Sequence, residues 1–523
     1  MVRKRYCILL ALLLFLVAAL LRIALAVQPG LWVDEIFSLA MATGHSLEHP
    51  ATEADPSLGD YVEPQQAEPP STFHQFMQHE RPPARPTRVI RAVLLSDTNP
   101  PLYYLLLNFW TSATGTSDAA LRLFSTLWAL ACLPLLWFLG HEAGDRKTAW
   151  TVCVLFAFSP PALYYSAEGR MYSLVWFLAL GLAWFSFSLT RQGPRPHLLL
   201  LWIISAAAGL LTHYFFGFAL IACFFWLWIH PGRVSRAYLA GAAVLAGLLV
   251  LPWYLQLPES LSRWRVTAGW LDYTLTIKQA FTAPFRLAWS FLSGHGVWGG
   301  SKWAVICAAG LYMLLIVVTL RQGIRRLLSD RQQLLWLWVL ASVFGILVFD
   351  LLRNTNASLF PRYALPGLPA GLLLAAMAIS WLPWKGYAVF VLLILLVWVP
   401  GIRDMFAKPS RPWDPFLEVG LRLTAWAKPD DLIIVHSIPS GVLGVARYTG
   451  TSTPIASWVV QLRQRRLPDD MEKLLSGPRR VAIVKIHDMG EPSPAEVWLR
   501  DHATLEHQDT VHASTKILYF VPK

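Results

Sequence analysis

Cysteine is scarce, five in 523 residues, and Cys7, Cys132, Cys153, Cys223 and Cys307 all lie in apolar stretches without paired spacing or a metal-ligand pattern. That excludes a disulfide framework and a cysteine-bound metal cluster as the basis of the fold. A nucleotide-binding glycine fingerprint is also missing, no hydrolase triad stands out after residue 402, and the two halves of the chain do not repeat one another. Apolar side chains are abundant instead. Hydrophobic residues make up 55% of the chain, tryptophan occurs 25 times, and the mean hydropathy is +0.45, more than a soluble globular chain can hide from water. The composition predicts a polytopic membrane protein.

Arg3, Lys4 and Arg5 precede an apolar run from Tyr6 to Val27. Its length matches the roughly 20 residues needed to cross a bilayer and exceeds a signal-peptide core, so it reads as an uncleaved first helix. Ten further runs cover residues 118–139, 149–163, 171–190, 198–213, 214–230, 238–255, 302–320, 332–350, 363–382 and 386–401, for eleven spans. The pair meeting at His213 and Tyr214 leaves almost no loop. With the N-terminus inside, the cytoplasmic connections carry fourteen Lys or Arg, Arg325 and Arg326 among them, against three on short outer connections, Arg170, Arg353 and Arg362. This asymmetry predicts a multi-pass inner (plasma) membrane protein with a cytoplasmic N-terminus and an extracytoplasmic C-terminal domain. It also accounts for the net charge of +12 without a nucleic-acid partner.

On this topology a membrane module occupies residues 1–401, and its long connections, 28–117 and 256–301, lie outside. Residues 48–70 hold six acids, several prolines and no Lys or Arg, which predicts a flexible insert. Arg81, Arg85, Arg88 and Arg91, with the apolar Val89–Leu95, predict a short helix along the bilayer surface. Residues 402–523 alternate a helix near Pro415–Ala427 with strands at Leu432–Val435, Val481–Ile486 and Ile517–Val521. The expected fold is therefore mainly α, a polytopic membrane helix bundle with a small extracytoplasmic α/β C-terminal domain.

The outer helix ends hold the candidate chemistry. Asp34 and Glu35 stand side by side just beyond the first span. Asp97, Thr98 and Asn99 lead through two prolines into Tyr103 and Tyr104, with Asp97 or Thr98 placed to cap the following helix. Glu168, Arg170 and Tyr172 share the next outer turn, His213 and Tyr214 the one after, and Arg362 with Tyr363 a fourth. His213 reads as a hydrogen-bonded structural residue rather than a catalytic one.

In this order the motifs resemble those of the membrane-embedded GT-C glycosyltransferases, in particular the bacterial dolichyl-phosphate-mannose-protein mannosyltransferase and RgtA/B/C/D-like group related to lipid A aminoarabinose transferase. The resemblance covers residues 1 to about 400. Asn99 stands where many members carry His, which puts a metal or proton role at that position in question, and the acidic insert lengthens the first loop. The resemblance implies a GT-C fold, a sugar donor carried on a polyprenyl phosphate, and transfer at the outer face of the membrane.

Chemistry gives the roles their reasons. An acceptor hydroxyl is too weakly acidic to attack an anomeric carbon unaided, so a carboxylate must take its proton. Asp34 is the expected base, Glu35 orients it or the acceptor, and neighbouring acids that include Asp97 and Glu168 raise the base's proton affinity by like-charge repulsion. The departing polyprenyl phosphate gathers negative charge, for which Arg170 and Arg362 are the expected partners, with Arg122 behind them. Direct displacement then inverts the anomeric configuration.

The main competing class, a lipid or glycan transporter or flippase, commonly places ionisable groups at mid-membrane and repeats its halves. A non-catalytic scaffold has no need of aligned acids and arginines. The sugar, the polyprenol and the acceptor, whether lipid, glycan or protein, are open at this point. No cofactor is certain, and a divalent metal is left open because no ligand set has convincing spacing.

Overall fold

A computed structural model describes residues 2–97, 99–293, 302–321, 323, 328–407, 414–475, 479–487, 492–512 and 515–523. Thr98, one of the two expected caps, lies outside the described residues, as do Arg325 and Arg326 and the side chains of Arg3, Lys4 and Arg5.

Among the described residues, seven helices are long and apolar enough to cross a membrane: Ile8–Ala26, Asp118–Ala143, Tyr172–Gln192, Arg236–Ser262, Asp330–Arg353, Pro361–Ser380 and Trp384–Ala407. Three more expected spans appear as shorter apolar helices, Pro196–Leu210, Phe216–Ile229 and Val305–Arg321. The remaining apolar run is split into Arg146–Phe158 and Pro160–Ser166. The break has a local cause, because Pro160 and Pro161 lack the N–H groups that would continue the ladder and push Ser159 out of helical backbone. The carbonyls left open there are met by a charged side chain. The guanidinium of Arg22, fully buried in the first helix, donates to Phe156 O at 2.8 Å and Ala157 O at 3.1 Å.

The chain divides into two compact units that do not follow it in consecutive blocks. One comprises residues 1–27, 122–256 and 269–407, and the other residues 28–121, 257–268 and 408–523. The second unit thus gathers segments from both long connections and the C-terminal part.

The second unit is built on a five-stranded mixed sheet. Its strands are β1 (Leu432–His436), β2 (Ile455–Trp458), β3 (Val481–Lys485), β4 (Ala503–His512) and β5 (Thr515–Pro522), in the order β2-β1-β3-β5-β4. The first three strands of that order run parallel, and β5 and β4 add antiparallel. Leu432, Ile434, Val481, Ile483, Leu518 and Phe520 form the core of one face, with Met471 and Leu499 packed on them. β2 and β4 escape notice in the sequence because one is four residues long and the other is a largely polar edge strand.

Residues 48–70 do not form the loose insert expected of so acidic a segment. Glu68 and Ile455 exchange backbone hydrogen bonds at 2.9 and 2.7 Å, which covers the open edge of β2. Arg465 donates to the carbonyls of Pro64 and Gln65, each at 2.6 Å, and Arg91 binds Asp60 through both Nη atoms. Glu48 accepts both the N–H and the hydroxyl of Thr267, at 2.7 and 2.9 Å. Glu48, Asp60 and Glu63 are matched by partners far away in sequence, so the segment orders without an apolar core of its own.

Burial pushes the carboxyl of Glu63 up to about 7, against the pull of the Val459 N–H and the Arg465 charge. Its Oε1 accepts from Ser457 Oγ and Val459 N, while Oε2 has no partner among the described residues. The unfolded chain releases this proton near 4.5 and the folded chain near 7, so Glu63 costs stability progressively as pH rises between those values. Glu63→Gln keeps the acceptor and removes the titration. It is expected to raise the thermal midpoint of the purified protein at pH 8 and leave it nearly unchanged at about pH 4.5; an equal shift at both pH values contradicts this account.

Candidate active site

In the second unit, Asp34 and Glu35 sit in the first turn of the helix Val33–Ala42, where negative charge is favoured by the exposed N–H groups. The two carboxylates are not equivalent. Glu35 is fully buried and its Oε2 accepts the Trp32 N–H at 3.3 Å, whereas Asp34 is partly exposed. One of the pair therefore helps close the helix start, and the other is the accessible base candidate.

The helix Pro86–Ser96 forms where the basic stretch predicted one, but Arg88 is spoken for by Glu80, at 2.7 and 2.6 Å, and Arg91 by Asp60. Asp97 does not cap the helix that follows it. That helix, Leu102–Thr114, starts after Pro101, and Asp97 instead accepts the backbone N–H of Asn99 at 3.2 Å and its side-chain amide at 2.9 Å. Prolines 100 and 101 set the helix start at Leu102, beyond the reach of an N-cap at Asp97. The second oxygen of Asp97 accepts the Tyr104 hydroxyl at 2.7 Å, and Tyr103 meets Tyr104 edge to face at 5.6 Å. Asp97, Asn99, Tyr103 and Tyr104 are thus one connected group. Asn108 ties the same helix to the Asp34 helix through Ala42 O, at 2.7 Å.

In the first unit, the turn carrying Glu168 and Arg170 is held by the helix Asp118–Ala143. Ser125 Oγ donates to Arg170 O at 3.0 Å, Thr126 Oγ1 donates to Ser166 O at 3.1 Å, and Arg122 is buried on that helix. Glu168 is fully buried and Arg170 is buried beside it in the chain. Ring contacts run from Tyr164 to Tyr165 at 4.9 Å and from Tyr165 to Tyr172 at 5.0 Å, then on to His213 at 6.3 Å. His213 Nδ1 accepts the Phe215 N–H at 3.1 Å, and Phe215 meets Tyr363 edge to face at 5.6 Å.

Arg362 lies over three rings, Trp270 at 5.0 Å, Tyr363 at 5.2 Å and Phe360 at 5.7 Å. Its short helix, Pro361–Gly367, is fixed from both sides: the Trp176 indole donates to Leu365 O at 2.8 Å, and the preceding turn is gathered by Asp350, which accepts the N–H groups of Ala357 and Ser358. Burial first, and then the charge of Glu168, hold the Tyr165 hydroxyl well above the ordinary phenol range, with Arg362 acting in the opposite sense. Glu168 and Arg362 therefore act on one phenol. Trp270, Tyr165 and Asp350 are neighbours of the candidate residues that sequence motifs missed; only the aromatic content of the outer turns hinted at the first two.

The expected residues divide between the two units: Asp34, Glu35, Asp97, Asn99, Tyr103 and Tyr104 belong to one, and Arg122, Glu168, Arg170, Tyr172, His213, Arg362 and Tyr363 to the other. Among the described residues, no group of three His, Cys, Asp or Glu is arranged to hold a metal ion.

A family model described as dolichyl-phosphate-mannose-protein mannosyltransferase matches residues 98–255. The chain is similar in fold to ArnT from Cupriavidus metallidurans in the apo state, with a TM-score of 0.56 at 11% identity over 98% of each chain. It is likewise similar to the same protein bound to undecaprenyl phosphate, with a TM-score of 0.54 at 12% identity over 97% of each chain. An oligosaccharyltransferase from Archaeoglobus fulgidus in the apo form matches with a TM-score of 0.49 at 12% identity, over 91% of this chain and 70% of the other. No curated protein matches the sequence.

Proposed function

We propose that this chain, which has the GT-C fold seen in ArnT, is an inverting membrane glycosyltransferase that moves a sugar from a polyprenyl phosphate to a hydroxyl acceptor. The observation that supports this most directly is the family-model match over residues 98–255, which takes in Asn99, Tyr103, Tyr104, Arg122, Glu168, Arg170, Tyr172 and His213.

Asp34 accepts the proton of the acceptor hydroxyl as the new glycosidic bond forms, since an alcohol becomes nucleophilic enough only as that proton leaves. The bond between the anomeric carbon and the phosphate oxygen breaks in the same displacement, and its electron pair departs on the polyprenyl phosphate. No enzyme nucleophile intervenes, so the configuration inverts. Arg170 and Arg362 neutralise the leaving phosphate. The Arg362 guanidinium lies over the Trp270 and Tyr363 rings at 5.0 and 5.2 Å, a cation–π setting, and its planar fork of donors matches phosphate oxygens. The Asp97–Asn99–Tyr104 group shapes the acceptor side.

Mass analysis of lipids and envelope glycans from cells with and without the chain tests this reading. Without it, one hexose or pentose is expected to vanish from an envelope product while its polyprenyl-phosphate form accumulates. An unchanged inventory of both refutes the proposal.

A further inference from the structure

We infer that Tyr448 and Asp414, from the C-terminal part of the chain, are positioning residues for the Asp34 carboxylate; this rests on the reading of Asp34 as the base. The backbone that delivers Asp34 is the short stretch 30–33, non-helical up to Trp32 and entering the helix at Val33, and its amides are held from outside. Gly30 N–H donates to Asp118 Oδ2 at 2.9 Å, Leu31 N–H to the Tyr448 hydroxyl at 2.7 Å, and Val33 N–H to Asp414 Oδ2 at 3.4 Å. Gly30 takes a φ of +100°, a conformation that glycine adopts without strain, so the stretch turns sharply into its three acceptors.

Each acceptor is itself fixed. The Tyr448 hydroxyl donates to Asp118 Oδ2 at 2.6 Å, and Arg447 clasps Asp118 Oδ1 through Nε at 3.0 Å and Nη2 at 2.8 Å. Asp414 Oδ1 lies 2.8 Å from His487 Nε2, and His487 Nδ1 lies 3.0 Å from the hydroxyl of Ser437, a buried residue directly after β1. A continuous polar chain therefore runs from the carboxyl end of the sheet through Ser437, His487 and Asp414 to the amide of Val33. The helix that carries Tyr448, Pro439–Tyr448, is seated on the same serine. A Cβ on Gly441 would stand 1.9 Å from Ser437 Oγ, so only glycine permits the approach. That helix also packs on the Asp34 helix.

A phenol on a buried ring is a directional, low-entropy support for a backbone amide. Removing its oxygen strands two polar groups, the Leu31 N–H and one lone pair of Asp118, and the stretch must shift to recover partners. A displacement of about 1 Å at a reacting group costs on the order of 100-fold in rate.

The test uses the full-length chain in membranes, supplied with the total polyprenyl-phosphate sugar fraction extracted from cells lacking it. Tyr448→Phe and Asp414→Asn are expected to lower the saturating rate by about 10- to 100-fold. The half-saturating donor amount is expected to change by less than about twofold and the thermal midpoint little, because the donor phosphate and the sheet core are untouched. Amide hydrogen exchange at residues 30–33 is expected to quicken in both variants. Full turnover in both, with Asp34→Asn inactive, overturns the positioning role and leaves the base assignment standing. A rate loss that only tracks lost folded protein in both variants overturns it too. Turnover by Asp34→Asn at the wild-type rate overturns the base assignment instead, and with it the positioning inference.

Discussion

Asp34→Asn is expected to lower the turnover rate by about 10²- to 10⁴-fold, the range that a positioned general base supplies. The amide has the size and hydrogen-bonding reach of the carboxylate but cannot take up the acceptor proton. Its neighbour cannot stand in, because Glu35 is buried and one of its oxygens is engaged at the start of its own helix. Glu35→Gln, which keeps that acceptor oxygen, is expected to lose far less. Initial rates with the polyprenyl-phosphate sugar fraction, alongside binding of undecaprenyl phosphate, separate the outcomes: chemistry falls and lipid binding holds. Asparagine at this position supporting turnover within about threefold of wild type removes Asp34 from the role.

Arg362→Ala is expected to cost about 10²- to 10³-fold, the loss typical of removing a preorganised donor from a site of developing negative charge. The distinctive part is the failure of Arg362→Lys to restore the rate. The guanidinium lies over Trp270, Tyr363 and Phe360, and its planar fork of donors has no counterpart in an ammonium group. A lysine variant that turns over as fast as wild type shows that the charge alone matters and that the aromatic setting is incidental. Trp270→Leu is expected to share the defect in weaker form, since it loosens the side chain without deleting its charge.

Much of this was legible in the sequence wherever a local signal sufficed. Apolar run length marks the membrane helices, and short continuous apolar runs mark β1, β3 and β5. The short polar or four-residue strands carry no such signal, and the sheet's edges were lost with them. The acidic stretch was misread for a related reason. Charge density predicts disorder only if partners are absent, and Arg91, Arg465 and Thr267 are too far along the chain for composition to reveal. Asp97 shows the same limit at short range: it is the right residue type in the right place, but two prolines move the helix start and hand its oxygens to Asn99 and Tyr104. At the candidate site, motif order supplies the residue types proposed. The inequality of Asp34 and Glu35 and the ring contacts of Arg362 depend on tertiary neighbours such as Trp270, and no spacing rule encodes those.

The bond between Leu31 and Tyr448 spans most of the polypeptide's length, as does the pairing of Glu68 with Ile455. A nascent chain emerges from the N-terminus, so the first long connection waits until Tyr448 and Ile455 have been made before these partners exist. Truncated or stalled products retain every motif up to the break and still lack the scaffold that seats the proton acceptor. On the proposed function such products are expected to be inactive, so that a half-made copy does not consume lipid-linked sugar.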